Sequence, residues 1–262
     1  TKAGSFYTQA LADGIIRPEE NVGAFRSQLL NSHNGKILRL DPATGNGVSS
    51  NPYYDAGQPR SAKSRVWAMG FRNPFRFIRK PGSGSTNPAI GDLGEIFVGD
   101  VGWNKWEELT IINEPGVNAG WPIYEGFTAT ENYPVNLNYN RDELNPLFGI
   151  NGCTQRYFTF GNLLKQPTAD NNRFLPNPCN GTVNVVYGNS NRFIHKRPTM
   201  AWWHMSAGTE TLVGTFTGNN PTTASIGTPQ SGVTGTPFYG NCAGGAVWYK
   251  GTRYGTKYDG TY

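Results

Sequence analysis

Val66-Trp67-Ala68-Met69-Gly70-Phe71-Arg72-Asn73-Pro74 reads as a short apolar strand that is stopped abruptly. Four apolar residues are followed by a glycine, and Pro74 holds Asn73 in an extended conformation that closes the strand. The pattern recurs as Val247-Trp248-x-x-Gly251-x-Arg253. Copies starting at positions 66 and 247 are separated by about four repeats of propeller-blade length. Working outward, further strand-length runs with β-branched or aromatic content and flanking turn residues are 36–40, 95–98, 108–112, 156–160, 212–216 and 246–249. Helical spacing is confined to 19–30, where Val22, Phe25, Arg26 and Leu29 share a face. The chain is therefore expected to be all-β, with the Asn-, Thr-, Gly- and Pro-rich stretch 128–240 carrying long loops.

Composition agrees. Thirty-four glycines and 18 prolines in 262 residues exclude helical bundles and coiled coils, because neither residue is tolerated inside a helix. Aromatics at 13% and charged residues at only 16% exclude a disordered chain. No apolar run is long enough for a transmembrane helix. The net charge of +5 is dispersed. Its densest run, Arg60 to Lys80, is broken by apolar residues at strand spacing, so no nucleic-acid partner is expected.

Cys153 and Cys179 flank an irregular stretch and could close it as a disulfide, leaving Cys242 over; three free buried thiols are the alternative. Asn180-Gly181-Thr182 is a glycosylation acceptor pattern. Together they favour a secreted, periplasmic or otherwise extracellular protein. The chain opens and closes without a start Met, a signal peptide or a strand boundary, and reads as part of a longer protein.

Three constellations carry possible chemistry. Arg72 and Asn73 stand at a strand end, where a fixed guanidinium can grip a carboxylate-bearing ligand or simply a loop carbonyl. Gly99-Asp100-Val101-Gly102-Trp103 with Glu107 and Glu108 places carbonyls and carboxylates on one irregular loop, the donor set calcium selects; the alternative is that the two glutamates simply point to opposite faces of the next strand. Pro115-Gly116-Val117-Asn118-Ala119-Gly120-Trp121-Pro122, continuing to Tyr124-Glu125-Gly126, reads as a tight turn anchored by Trp121. His33, His195 and His204 share no spacing, and no nucleophile elbow, zinc motif or phosphate loop is present.

Taken in order, Gly35 to Pro42, Asn51-Pro52-Tyr53, Val66 to Pro74, Gly99 to Gly102 with Trp106-Glu107-Glu108, and Asn118 to Pro122 resemble the glucose/sorbosone dehydrogenase family. This group includes the soluble quinoprotein sugar dehydrogenases and hedgehog-interacting protein. The resemblance is dense over 35–126 and fainter over 240–262. It implies a six-bladed β-propeller of four-stranded antiparallel blades with long inter-blade loops. Residues 1–262 would form part of it, lacking blades at both ends or completed by another chain.

The implied activity is oxidation of an aldose or related sugar by hydride transfer to pyrroloquinoline quinone (PQQ), assisted by Ca2+, with a separate electron acceptor. By that resemblance Arg72 and Asn73 contact the quinone, the carbonyls of Gly102 and Trp103 hold the calcium, and Glu107 and Glu108 serve a further metal site. The family has Gly-Pro where this chain has Gly102-Trp103; a carbonyl survives the change. The family's base histidine falls upstream of Thr1, and His33 does not occupy its position. The competing class is a non-catalytic extracellular propeller that binds a protein or glycan.

Overall fold

Lys36–Leu38 (β1) and Val66–Met69 (β2) pair antiparallel, with Ile37 opposite Ala68. The computed structural model to which this pair belongs describes residues 6–131, 133–185, 191–205 and 209–262. All four β2 residues are buried, as a continuous apolar run requires. After the Asn73 stop, Pro74–Arg79 (β3), Ile96–Asp100 (β4) and Trp106–Ile112 (β5) form an antiparallel meander. The β1–β2 pair covers one face of that meander. Ile37, Trp67, Ala68 and Phe71 pack there against Ile96, Val98 and Ile112 in one cluster. β4 is therefore buried on both faces, whereas β3 lies at the edge with Phe75 and Phe77 more than half exposed.

The remaining strands are short hairpins. Tyr124–Glu125 (β6) pairs Thr128–Ala129 (β7), Tyr139–Leu144 (β8) pairs Tyr157–Thr159 (β9), and Leu175–Asn177 (β10) pairs Asn180–Val185 (β11). Met200–Trp203 (β12) then returns to β5, with Met200 opposite Leu109 and Trp203 opposite Trp106. Thr211–Thr217 (β13) and Asn220–Ser225 (β14) complete a six-stranded sheet of order β14-β13-β12-β5-β4-β3. The long excursion from β5 to β12 is held by Cys153–Cys179, which do form a disulfide; Cys242 is free and exposed.

The mainly β expectation holds. The four-stranded blades do not appear: the described residues form one six-stranded sheet and four two-stranded ones. The reason is topological, since the return of β12 to the outer side of β5 extends the meander rather than starting a new sheet. The helix expected over 19–30 is instead two 3-10 turns, Pro18–Glu20 and Gly23–Gln28. Pro18 and Gly23 break the register, and Phe25 and Leu29 are nevertheless buried together. A short helix at Tyr7–Ala12 was not foreseen. Residues 246–249 form no strand; Tyr249 exchanges backbone hydrogen bonds only with 260–261, while Trp248 packs edge-on against Phe97 at 5.0 Å.

Candidate functional site

One end of the six-stranded sheet gathers the predicted positions. The segment after β2 approaches the end of β4 so closely that the two are stitched by hydrogen bonds. Asp100 accepts the backbone N–H of Arg72 at 3.0 Å and of Asn73 at 2.6 Å, and Val101 N–H donates to the Asn73 carbonyl. The Arg72 side chain, half-buried, donates from Nη1 to the Val101 carbonyl at 2.9 Å. Asn73 is exposed beside it. Just before Arg72, Gly70 lets the chain pass close to the 118–120 segment: its φ is +79°, and a Cβ there would lie 2.0 Å from Asn118 Oδ1.

An aromatic wall stands next to the guanidinium. Arg72 lies over the Trp121 ring at 5.6 Å, and Trp121, Trp103 and Tyr133 contact one another with centroids 5.5–5.9 Å apart. Trp121 is buried and its carbonyl is fixed by Ser27 Oγ and Gln28 Nε2, whereas Trp103 is 39% exposed at the mouth. Burial raises the Tyr133 phenol above its usual range; nearby Arg72 opposes this and Glu125 adds to it.

Buried carboxylates lie beneath the loop that joins β4 to β5. Glu107, fully buried, accepts Gly102 N–H at 3.2 Å and Ala243 N–H at 2.6 Å on Oε2, while Oε1 pairs with His204 Nδ1. Glu108 points to the other face and accepts Gly126 N–H at 2.6 Å. Glu125 Oε1 accepts four successive N–H groups, from Trp103, Asn104, Lys105 and Trp106, at 2.7, 2.9, 3.1 and 3.4 Å. A Cβ at Gly102 would lie 1.9 Å from the Trp106 carbonyl oxygen, so the loop closes this tightly only with glycine.

Two of the acids face each other. Asp100 sits directly opposite Glu108 in the β4–β5 register. Burial pushes Asp100 up to about 7 against the pull of the two N–H donors and the Arg72 charge, with Glu107 adding to the rise. Burial, and then Asp100, push Glu108 well above the carboxylate range. The common cause is that two adjacent desolvated carboxylates resist joint ionisation.

The structure thus brings Arg72, Asn73, Gly102 and Trp103 to one place, with Glu107 below them and Glu108 on the opposite face of β5. Glu107 spends both oxygens on two backbone N–H groups and an imidazole. Among the described residues, no three His, Cys, Asp or Glu side chains are arranged to hold a metal ion. The oxygens left over are main-chain ones: no donor of the described residues reaches the carbonyls of Gly102, Trp103 or Asn104. Sequence reasoning missed three parts of the site. Glu125 and Trp121 were read only as turn residues, although their shared segment was a usable signal. The Glu107–His204 pair spans 97 positions and has no local signature.

The Glucose / Sorbosone dehydrogenase family matches residues 17–147, half of the chain, and the protein belongs to that family. Similar solved structures include the PQQ-bound aldose sugar dehydrogenase (Adh) from Streptomyces coelicolor, at 19% identity over 78% of this chain and 43% of that one, with a TM-score of 0.30. A glucose dehydrogenase is 22% identical over 78% of this chain and 49% of that one, with a TM-score of 0.33. The soluble aldose sugar dehydrogenase (Asd) from Escherichia coli, in its apo form, is 17% identical over 79% and 48%, with a TM-score of 0.29. The chain spans about half the length of the solved structures it matches.

Proposed function

We propose that this chain carries the cofactor-holding part of a PQQ- and Ca2+-dependent dehydrogenase that oxidises an aldose or related sugar. The observation that carries the reading is the Arg72 guanidinium, laid on Trp121 and touching Val101, beside the unengaged carbonyls of Gly102 and Trp103. A planar polycarboxylate needs a cation and flat apolar walls, and this chain offers Arg72 with Trp103, Trp121 and Tyr133. A hard cation needs oxygen donors without protons, which the two carbonyls provide. The donor set fits both groups.

In this reading Arg72 and Asn73 hold the quinone, and Gly102 and Trp103 hold the calcium. Glu107, assigned to a further metal site by resemblance, instead holds Gly102 in place, and Glu108 holds Gly126. Bound PQQ would supply the two-electron acceptor for the hydride lost from the sugar carbon, and calcium would supply Lewis-acid polarisation. The protein's part would be to orient that acceptor and exclude water from it, the role open to Trp103, Trp121 and Tyr133. The sheets would belong to a six-bladed ring; what supports this is the face-to-face stacking of β1–β2 on the meander. The Cys153–Cys179 disulfide and the exposed Asn180 acceptor support a secreted or periplasmic location. No helix among the described residues is long and apolar enough to cross a membrane.

The test is to reconstitute the intact protein with PQQ and Ca2+ and follow aldose-dependent dye reduction and quinone binding. Turnover with saturable quinone binding is expected. No quinone binding and no turnover would remove the dehydrogenase reading.

A further inference from the structure

We infer that Glu125 is the positioning residue for the cation site, holding the carbonyls of Gly102 and Trp103 in a donor fan by gripping the other ends of their peptide units. The inference rests on the calcium reading above. In a trans peptide the C=O of one residue and the N–H of the next point in opposite directions. Among the described residues the sole cis bond is Trp121–Pro122, so every peptide from 101 to 106 obeys this rule. The N–H groups of Trp103, Asn104, Lys105 and Trp106 converge on one oxygen of buried Glu125. The carbonyls of Gly102, Trp103, Asn104 and Lys105 therefore diverge from it.

The neighbouring peptides show the consequence. Glu107 holds Gly102 N–H, so the Val101 carbonyl points the other way, and there it meets Arg72 Nη1 at 2.9 Å. Lys105, at the far end of the fan, gives its carbonyl to His204 N–H at 2.8 Å. Between these two satisfied ends lie Gly102, Trp103 and Asn104, whose outward oxygens no donor of the described residues reaches. Five consecutive N–H groups are thus turned inward to two buried carboxylates, and the oxygens between the satisfied ends are left for a hard cation. All four donors meet Oε1, while Oε2 has no partner among the described residues; a carboxylate makes charge-assisted bonds there that a neutral amide oxygen makes more weakly.

Terbium provides the probe, since it substitutes for calcium and its luminescence is sensitised by nearby indoles such as Trp103 and Trp121. In the intact protein, Ca2+-displaceable Tb3+ luminescence is expected. Glu125→Gln should weaken Tb3+ binding by about 10- to 100-fold, the usual cost of removing an outer-shell partner. It should also speed hydrogen exchange at the amides of Trp103 to Trp106. Should Glu125→Gln fail to fold, Glu125→Asp keeps the charge on a shorter arm and should show an intermediate loss of affinity. Glu143→Gln, another buried acid distant in sequence, should lower stability while leaving Tb3+ affinity of the folded protein within about twofold of the parent. Unchanged affinity in folded Glu125→Gln or Glu125→Asp overturns the inference and leaves the calcium reading intact. Absence of displaceable terbium from the parent protein overturns both.

Discussion

Two strands carry adjacent acids largely shielded from water, and among the described residues side-chain arginines reach only one of the two pairs. On β8, Asp142 takes a two-pronged grip from Arg17 at 3.0 and 3.3 Å besides accepting one backbone N–H, from Asn31 at 2.8 Å, and Glu143 pairs with Arg192 at 3.1 Å. On β5, Glu107 and Glu108 meet no lysine or arginine of the described residues and are held by backbone N–H groups, with His204 added at Glu107. A side-chain cation can neutralise an acid wherever it is placed, so the β8 pairs are tools for joining segments. An acid that binds main-chain N–H groups dictates the path of that main chain and the direction of its carbonyls. The first kind serves cohesion, and the second shapes a site.

The sharpest way to break this comparison is Arg192→Ala. It strands Glu143, whose pKa burial already raises against the pull of Arg192, and should lower unfolding free energy by about 3–5 kcal/mol in urea denaturation. Quinone affinity of the folded protein should stay unchanged; a matching loss there would show that the two regions are not separable. Next in size, Cys153→Ala with Cys179→Ala opens a loop of sequence separation 26 and should cost about 3–4 kcal/mol by the same measurement. It too should spare quinone binding.

Arg72→Ala should do the reverse. Quinone affinity, followed by quenching of tryptophan fluorescence, should fall about 10- to 100-fold, as expected for a lost charge-assisted contact, with little change in stability. The smallest effect concerns a third solution to buried polarity, His195. It stacks on Tyr124 at 4.5 Å, its Nε2 lies 3.1 Å from the Ala119 carbonyl, and burial holds it down to about 3. The unfolded chain takes up this proton near pH 6.5 and the native chain only near 3, so between those values acidification favours unfolding. Stability should drop by about 1 kcal/mol per pH unit below 6.5 from this group. His195→Gln should remove that component of the acid slope in denaturant titrations at several pH values.

Much of this arrangement was readable before any coordinates. The apolar runs at 36–40, 65–69, 95–98, 108–112 and 212–216 became β1, β2, β4, β5 and β13 because each combines branched or aromatic residues with a firm turn signal. The meeting of Arg72 with the Val101–Gly102 loop was implied by the family resemblance, whereas the strand ends themselves were legible from Pro74 and the glycines. The pairing of β12 with β5 was not readable, since strand order across a long excursion depends on tertiary packing rather than on any local pattern. The clamp at Glu125 was equally hidden. Its partners are backbone N–H groups, which every residue but proline possesses, so nothing in the residue names marks them.

The seating of β12 beside β5 also bears on how the chain is made. β5 is complete at Ile112, yet its partner starts only at Met200. At ribosomal rates of about 5–20 residues per second, the nascent polypeptide carries an open, largely apolar strand border for roughly 5–20 s. During that interval it is a target for chaperones and a template for mispairing with sister chains on the same polysome.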